Sequence, residues 1–282
     1  MQGKMWFSVL MLGLILMWGS QSMAGGKYKL AYKFNKGDQL RYKIETSMEN
    51  VQERMGQEIQ INIDGESVML LQGEGRDEDG NVKFLFSIES VKSHIQSPMG
   101  DTTVVNPPEL LGKRKRMILS ELGKRIKVEE VDTLVLTGLM AQVGGQQNSL
   151  QFPVLTKESV GVGSSWTAAE VDSQVNRGMK VHIRPTTTYT VEAEVDTLGY
   201  KCLRIRYKGT VKMTGEGQQM GMKIVLDGDG ENGGVLYFAP KEGRLVYVDT
   251  ASDIDMNVAL TGQMNMTMPS TIATRAKMVL LK

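Results

Sequence analysis

Cysteine, histidine and aromatic residues are scarce in this chain, and each scarcity removes a class of function. The single cysteine, Cys202, has no partner for an internal disulfide, so the fold must hold by its core alone. The only two histidines, His94 and His182, stand far apart in sequence and offer little for metal ligation or acid–base chemistry. No Gly-x-Ser-x-Gly elbow, His-Glu-x-x-His helix, phosphate loop or Cys-x-x-Cys pair occurs. Glu192 and Glu194 alternate with apolar residues, as a solvated strand face does, and do not read as a buried acid–base pair. No enzyme and no cofactor is therefore expected. An excess of charge is also missing: 33 basic residues stand against 32 acidic ones. A balanced chain lacks the clustered positive charge that drives binding to phosphate, which argues against nucleic acid as a partner. Aromatic residues make up 6% of the chain, whereas methionine occurs 20 times, so the expected interior is soft and polarizable rather than aromatic.

The only long apolar run is at the N-terminus. Lys4, the run Met5 to Trp18 and the small residues around Ala24 read as a secretory signal over residues 1–24. The run is short for a membrane span, and an uncleaved anchor is the alternative reading. No cysteine follows it, so a lipoprotein-type anchor is not expected. No later stretch is apolar enough to cross a bilayer as a helix, and the expected location is periplasmic or secreted.

What the chain does have is alternation. Tyr189, Val191, Ala193 and Val195 alternate with Thr190, Glu192 and Glu194. Leu203, Ile205, Tyr207, Val211 and Met213 alternate with Arg204, Arg206, Lys208 and Lys212. Period two over that length is the mark of half-buried strands. A three-residue loop at Thr197-Leu198-Gly199 would set Tyr189 opposite Tyr207, Val191 opposite Ile205, Ala193 opposite Leu203 and Glu192 opposite Arg204. Similar alternation runs through Leu40–Ile44, Ile59–Ile63 and Val82–Ile88, and two closing strands meet near Gly262. Tight turns at Gly123 and Gly243 would set Ile118 opposite Ile126 and Phe238 opposite Val246. Leu136, Leu139, Met140 and Val143 instead fall at helical spacing, with Asp132 or Thr133 as cap and Gly144-Gly145 as stop. The Gly80 and Gly123 loops recur in order at Gly199 and Gly243, which argues for two pseudo-repeats, 25–131 and 161–282, around a helix and linker at 132–160, all packed as one domain. The expected fold is mostly β: a curved antiparallel sheet, or incomplete barrel, with a short amphipathic helix between or over the repeats.

Lys36-Gly37-Asp38, Phe152-Pro153 and Val160-Gly161-Val162-Gly163-Ser164-Ser165-Trp166 carry a resemblance to an uncharacterised family of secreted bacterial β-rich proteins. That resemblance covers most of the chain after the signal; it implies a fold and brings no activity or site. In architecture, a curved sheet with a helix over its mouth is similar to periplasmic carriers that shuttle lipoproteins.

Three groups of residues invite a functional reading. Met264, Met266 and Met268 share one face of a strand, as Met220 and Met222 do. They read as a methionine-rich core, as the lining of an adaptable pocket for a lipid or acyl chain, or as soft ligands for Cu(I). With Leu136, Leu139 and Met140 as lid and Met264, Met266 and Met268 as floor, the chain reads as a binding protein for a hydrophobic small molecule. A structural or protein-interaction module of the cell envelope is the alternative. Asp227 to Gly234 fails the calcium-loop pattern at Asn232 and Phe238 and is expected to be a flexible acidic turn. Lys113-Arg114-Lys115-Arg116, with Lys124-Arg125 beside it, reads as edge-strand protection or as an anionic-headgroup contact.

Overall fold

The structure, a computed structural model, describes residues 26–54, 56–134, 152–176, 179–219, 222–262 and 265–281. Thirteen strands occur among them: β1 (Gln39–Arg54), β2 (Gln57–Arg76), β3 (Val82–Ser97), β4 (Gly100–Val105), β5 (Lys115–Leu119), β6 (Arg125–Glu130), β7 (Ser165–Ala169), β8 (Asp172–Asn176), β9 (Met179–Thr197), β10 (Tyr200–Gln219), β11 (Met222–Ala239), β12 (Arg244–Thr261) and β13 (Met266–Leu280). All join one antiparallel sheet in the order β6-β5-β3-β2-β1-β13-β12-β11-β10-β9-β7, with β4 also on β3 and β8 also on β9. The sheet is not closed into a barrel. It is rolled enough for its two edges to meet in places: Arg125 of β6 pairs with Asp172 of β8.

One pole of the roll is sealed. Residues 28–35 and 152–160 lie across it as a plug with one face in solvent, held by backbone bonds from Tyr32 to Glu121 (2.7 Å), Lys33 to Gly243 (2.9 Å), Leu155 to Leu122 (2.8 Å) and Tyr28 to Val160 (2.7 Å). Tyr32, Phe34, Phe84, Phe152 and Phe238 stack or meet edge to face in this plug, with ring centroids 4.5 to 6.1 Å apart. The main core is built on them and on the sealed-pole ends of the long strands, from Leu40 and Tyr42 of β1 to Leu280 of β13. The expectation of a methionine-rich, non-aromatic interior is therefore corrected here. The few aromatics are concentrated where two layers meet, and among the described methionines only Met69 and Met117 join them in the buried core.

Several local expectations also change. Leu198 (φ 51°) and Gly199 (φ 85°) form a two-residue turn, with Thr197 paired to Tyr200. A bulge between Arg204 and Ile205 then restores the expected pairs Tyr189–Tyr207 and Val191–Ile205, while Leu203 faces Glu194 and Arg204 faces Ala193. A bulge sets Ile118 opposite Lys127, and the turn into β12 sets Phe238 opposite Leu245. Asp227 to Gly234 is no turn; it is the interior of β11, paired on both sides. Its alternation of acid and glycine fits a strand with one face in water and the other under its neighbours' side chains. The run Lys113 to Arg116 lies beside and within β5, between β3 and β6, and is not an edge, whereas Arg125 stands on the edge strand β6. Arg116 pairs with Glu74 (2.6 Å) and Glu129 (3.2 Å), Lys115 with Glu130 (3.7 Å), and Arg114 with Asp132 (2.8 Å). Asp132, expected as a helix cap, thus gives its carboxylate to Arg114, which holds it well below the usual carboxylate range. The helical spacing at Leu136, Leu139 and Met140 falls at residues outside the described ones.

Candidate functional site

Beyond the sealed pole the long strands continue as a single layer among the described residues, and their inner face becomes a field of apolar side chains. Because the register is antiparallel throughout, alternate residues of neighbouring strands line up in rows across the sheet. Nearest the open pole, Met266 faces Leu260, Leu260 faces Ile224, Ile224 faces Gly217 and Gly217 faces Met179. The next row runs Met268, Val258, Leu226, Gly215 and Val181. The third runs Ser270, Met256, Gly228, Met213 and Ile183. The fourth runs Ile272, Ile254, Gly230, Val211 and Pro185. On the other flank, Met48 faces Ile63, which faces Ile95. Most of these side chains are half-buried.

The glycines in these rows are required by close approach. A Cβ on Gly228 would stand 2.8 Å from Met256 Cγ and 2.9 Å from the Asp255 carbonyl oxygen. Met256 therefore lies across the space above Gly228, as Ile254 lies across Gly230. A large residue on one strand and none on the next lets the sheet curl tightly without crowding its inner face. The carboxylates of Asp227, Asp229 and Glu231, which alternate with those glycines, are exposed on the outer face.

Of the residues singled out from sequence, Met266 and Met268 are half-buried on this inner face, across from Leu260 and Val258. Met222 is half-buried at the same end of β11. Met264 and Met220, like Leu136, Leu139 and Met140, lie outside the described residues. Met179, Met213 and Met256 were missed. Each is a lone methionine on its own strand, and only the register brings Met213 opposite Gly228, next to Met256. The alternation Ile254-Met256-Val258-Leu260 was the signal that could have found the last.

An ion pair on the inner side lies at the seam between the sheet's edges. Arg125 and Asp172 are about one-quarter exposed. Glu170 sits beside them, its carboxyl raised by burial and only partly restored by Lys124 and Arg125. The histidines are elsewhere: His94 Nδ1 is 3.1 Å from Thr103 Oγ1, and His182 Nδ1 is 2.7 Å from Ser173 Oγ. Burial pushes the Cys202 thiol up to about 11, so it is no ready nucleophile. On the outer surface, Lys36, Glu74, Asp77, Lys83 and Arg116 line a shallow polar recess. There Arg116 is already spent on Glu74 and Glu129. No group of three or more His, Cys, Asp or Glu among the described residues is placed to hold a metal ion. What the arrangement can do chemically is hold something apolar against the inner face.

No family model matches the chain, and no curated protein does either. The secreted family therefore remains a resemblance of short motifs. No helix among the described residues is long and apolar enough to cross a membrane, a statement that leaves strands out of account. Two solved structures are similar in outline. One, described as showing lipid–protein interactions in lipovitellin, shares 14% identity over 89% of this chain at a TM-score of 0.49, and this chain spans 26% of its length. The other, an outer membrane channel of Pseudomonas putida F1, shares 10% identity over 91% of this chain and 98% of its own, at a TM-score of 0.29. Neither likeness is close enough to carry an argument about function.

Proposed function

We propose that the chain is a non-enzymatic, exported binding protein that holds a hydrophobic ligand, a lipid or acyl chain, against the inner face of its rolled sheet. The observation that carries this reading is the set of apolar rows over β9 to β13, with Met48, Ile61 and Ile63 on the other flank, continued past the sealed core without a second described layer. A field of half-exposed methionine, isoleucine and leucine that large is costly in water unless something covers it. Flexible thioethers suit ligands of varied shape. The signal-like residues 1–24 support a periplasmic or secreted location. The matching order of the Gly80, Gly123, Gly199 and Gly243 turns supports two related halves.

Native mass spectrometry of gently purified protein should reveal a co-purifying lipid, and added lipid should raise the unfolding temperature. Replacing Ile254 with Asp places a charge in the middle of the apolar rows and should abolish both signals while leaving the sealed pole folded. Repeated recovery without lipid, together with no stabilisation by any lipid offered, overturns the reading. That outcome favours the envelope interaction module, which the solid aromatic packing of the sealed pole would suit.

A further inference from the structure

We infer that the ligand is an uncharged, hydroxyl-bearing acyl lipid of the diacylglycerol type, with its polar end at a belt around Asn232 and its chains along the methionine and isoleucine rows. This inference rests on the lipid-binding reading above. Its first support is what the inner face omits. From Thr46 outward, the inner-facing described residues of β1 to β4 and β9 to β13 include no ionisable side chain except Arg54, exposed at the tip of β1. The inner charges lie at the seam, where Arg125 is paired with Asp172 and Glu170 adds a second carboxylate. Apart from Arg54 at the tip, a carboxylate or phosphate buried here would find no unpaired cation among the described residues of these strands to offset its lost hydration.

The second support is the belt itself. Between the sealed core and the apolar rows, one row of the register reads Thr274, Ser252, Asn232, Gly209 and Thr187. Its hydrogen-bonding side chains are all uncharged. Asn232 Oδ1 is buried and has no hydrogen-bond partner in the structure. Asn232 Oδ1 packs over Gly209 beside the Thr186 carbonyl oxygen and Thr187 Oγ1, all three 2.5 to 2.7 Å from where a Cβ would stand, so the glycine makes the room this acceptor occupies. An orphaned acceptor among other acceptors calls for a donor, and buried acceptors are seldom left unpaired. A lipid hydroxyl supplies that donor, while the Ser252 and Thr274 hydroxyls can donate to ester carbonyls. Chains leaving the belt then run over Ile254, Met256 and Met268 toward the open pole.

The test measures binding of dioleoylglycerol, oleate, dioleoylphosphatidylglycerol and hexadecane to the full chain by displacement of a fluorescent alkyl probe. Dioleoylglycerol should bind at least about tenfold more tightly than oleate or the phosphatidylglycerol. Asn232→Leu should weaken dioleoylglycerol about fivefold to tenfold and leave hexadecane unchanged. Because the Oδ1 it removes is already unpaired, this variant should unfold at the temperature of the unmodified protein or above it. Met268→Lys, an independent variant on the same face, should strengthen oleate relative to dioleoylglycerol. Oleate or phosphatidylglycerol bound as tightly as dioleoylglycerol overturns the inference, as does an Asn232→Leu variant that loses hexadecane equally. Failure of all four to bind overturns the lipid-binding reading itself.

Discussion

The two poles of the sheet are made from the same strands yet obey different rules. At the sealed pole, Phe238 and Leu236 of β11 and Ile205 of β10 are fully buried because the plug supplies a second layer. At the open pole, Ile224 and Met222 of β11 and Met213 of β10 face inward by the same alternation and stay only half-buried. The difference lies in what stands opposite, not in the strands. Sequence alternation reports which face turns inward and is silent on what meets it there. An inner face filled with rigid aromatics is a core. One filled with methionine, isoleucine and glycine and left as a single layer is a surface that keeps its adaptability.

The largest expected contrast is in core truncation. Phe238→Ala removes a ring that meets Tyr32 edge to face at 5.4 Å in a fully packed cluster and should cost roughly 3–5 kcal/mol. Met256→Ala at the open pole leaves no sealed cavity, because its side chain is already partly in solvent. It should cost about 1 kcal/mol. Urea denaturation of the two variants decides the matter. Equal losses would mean that the open pole is packed as a core, and the comparison of poles would fail with it.

A smaller contrast lies in the turns. Gly123 (φ 90°) lies against the plug: a Cβ there would come within 2.5 Å of the Tyr32 ring and 2.6 Å of the Pro153 carbonyl oxygen. Gly100 (φ 116°), in the β3–β4 turn at the open pole, has nothing within 4 Å. Gly100→Ala should cost only the backbone strain, of order 1–3 kcal/mol. Gly123→Ala should cost clearly more in the same denaturation assay, because it must also displace the plug. Equal costs would show that the plug yields readily, and the sealed pole would be less rigid than its packing implies.

Much of the sheet was legible from residues such as Tyr189, Val191, Ile205 and Tyr207, whose spacing fixes both strand and face. The mispaired positions have two causes. Near Gly199 and Gly243 the turn differs by one residue from the expected loop and a bulge then restores the register, whereas near Gly123 the bulge itself moves Ile118 to Lys127; period two cannot register a single added residue. The acidic stretch at Asp227 was misread because composition suggested a turn, whereas pairing on both sides decides for a strand. The plug was illegible for another reason: Tyr32 and Phe34 alternate like any strand, and only the tertiary fold shows that they enter the roll instead of joining it. Of the site, Met266 and Met268 could be read from their shared face. Met256 could have been read from its alternation with Ile254, Val258 and Leu260, but Asn232 could not, since its neighbours on β10 and β12 are set by register.

The seam between the poles offers the smallest expected effect, and its sign is definite. Glu170 is partly buried at the sheet's edge beside Arg125, Lys124 and Asp172, and burial raises its carboxyl above the ordinary value of 4.5. A carboxyl that holds its proton more tightly folded than unfolded makes the folded state the greater binder of protons between the two values. Stability therefore falls as pH rises from about 4.5 through the folded value, and the deficit persists at higher pH. Glu170→Gln, which cannot ionise, should be more stable than the unmodified protein at neutral pH and equal to it below pH 4.5. Urea midpoints of both proteins measured from pH 4 to pH 8 should converge at the acid end. If Glu170→Gln is instead the less stable protein at neutral pH, Arg125 and Lys124 outweigh burial at Glu170, and the seam is held by charge.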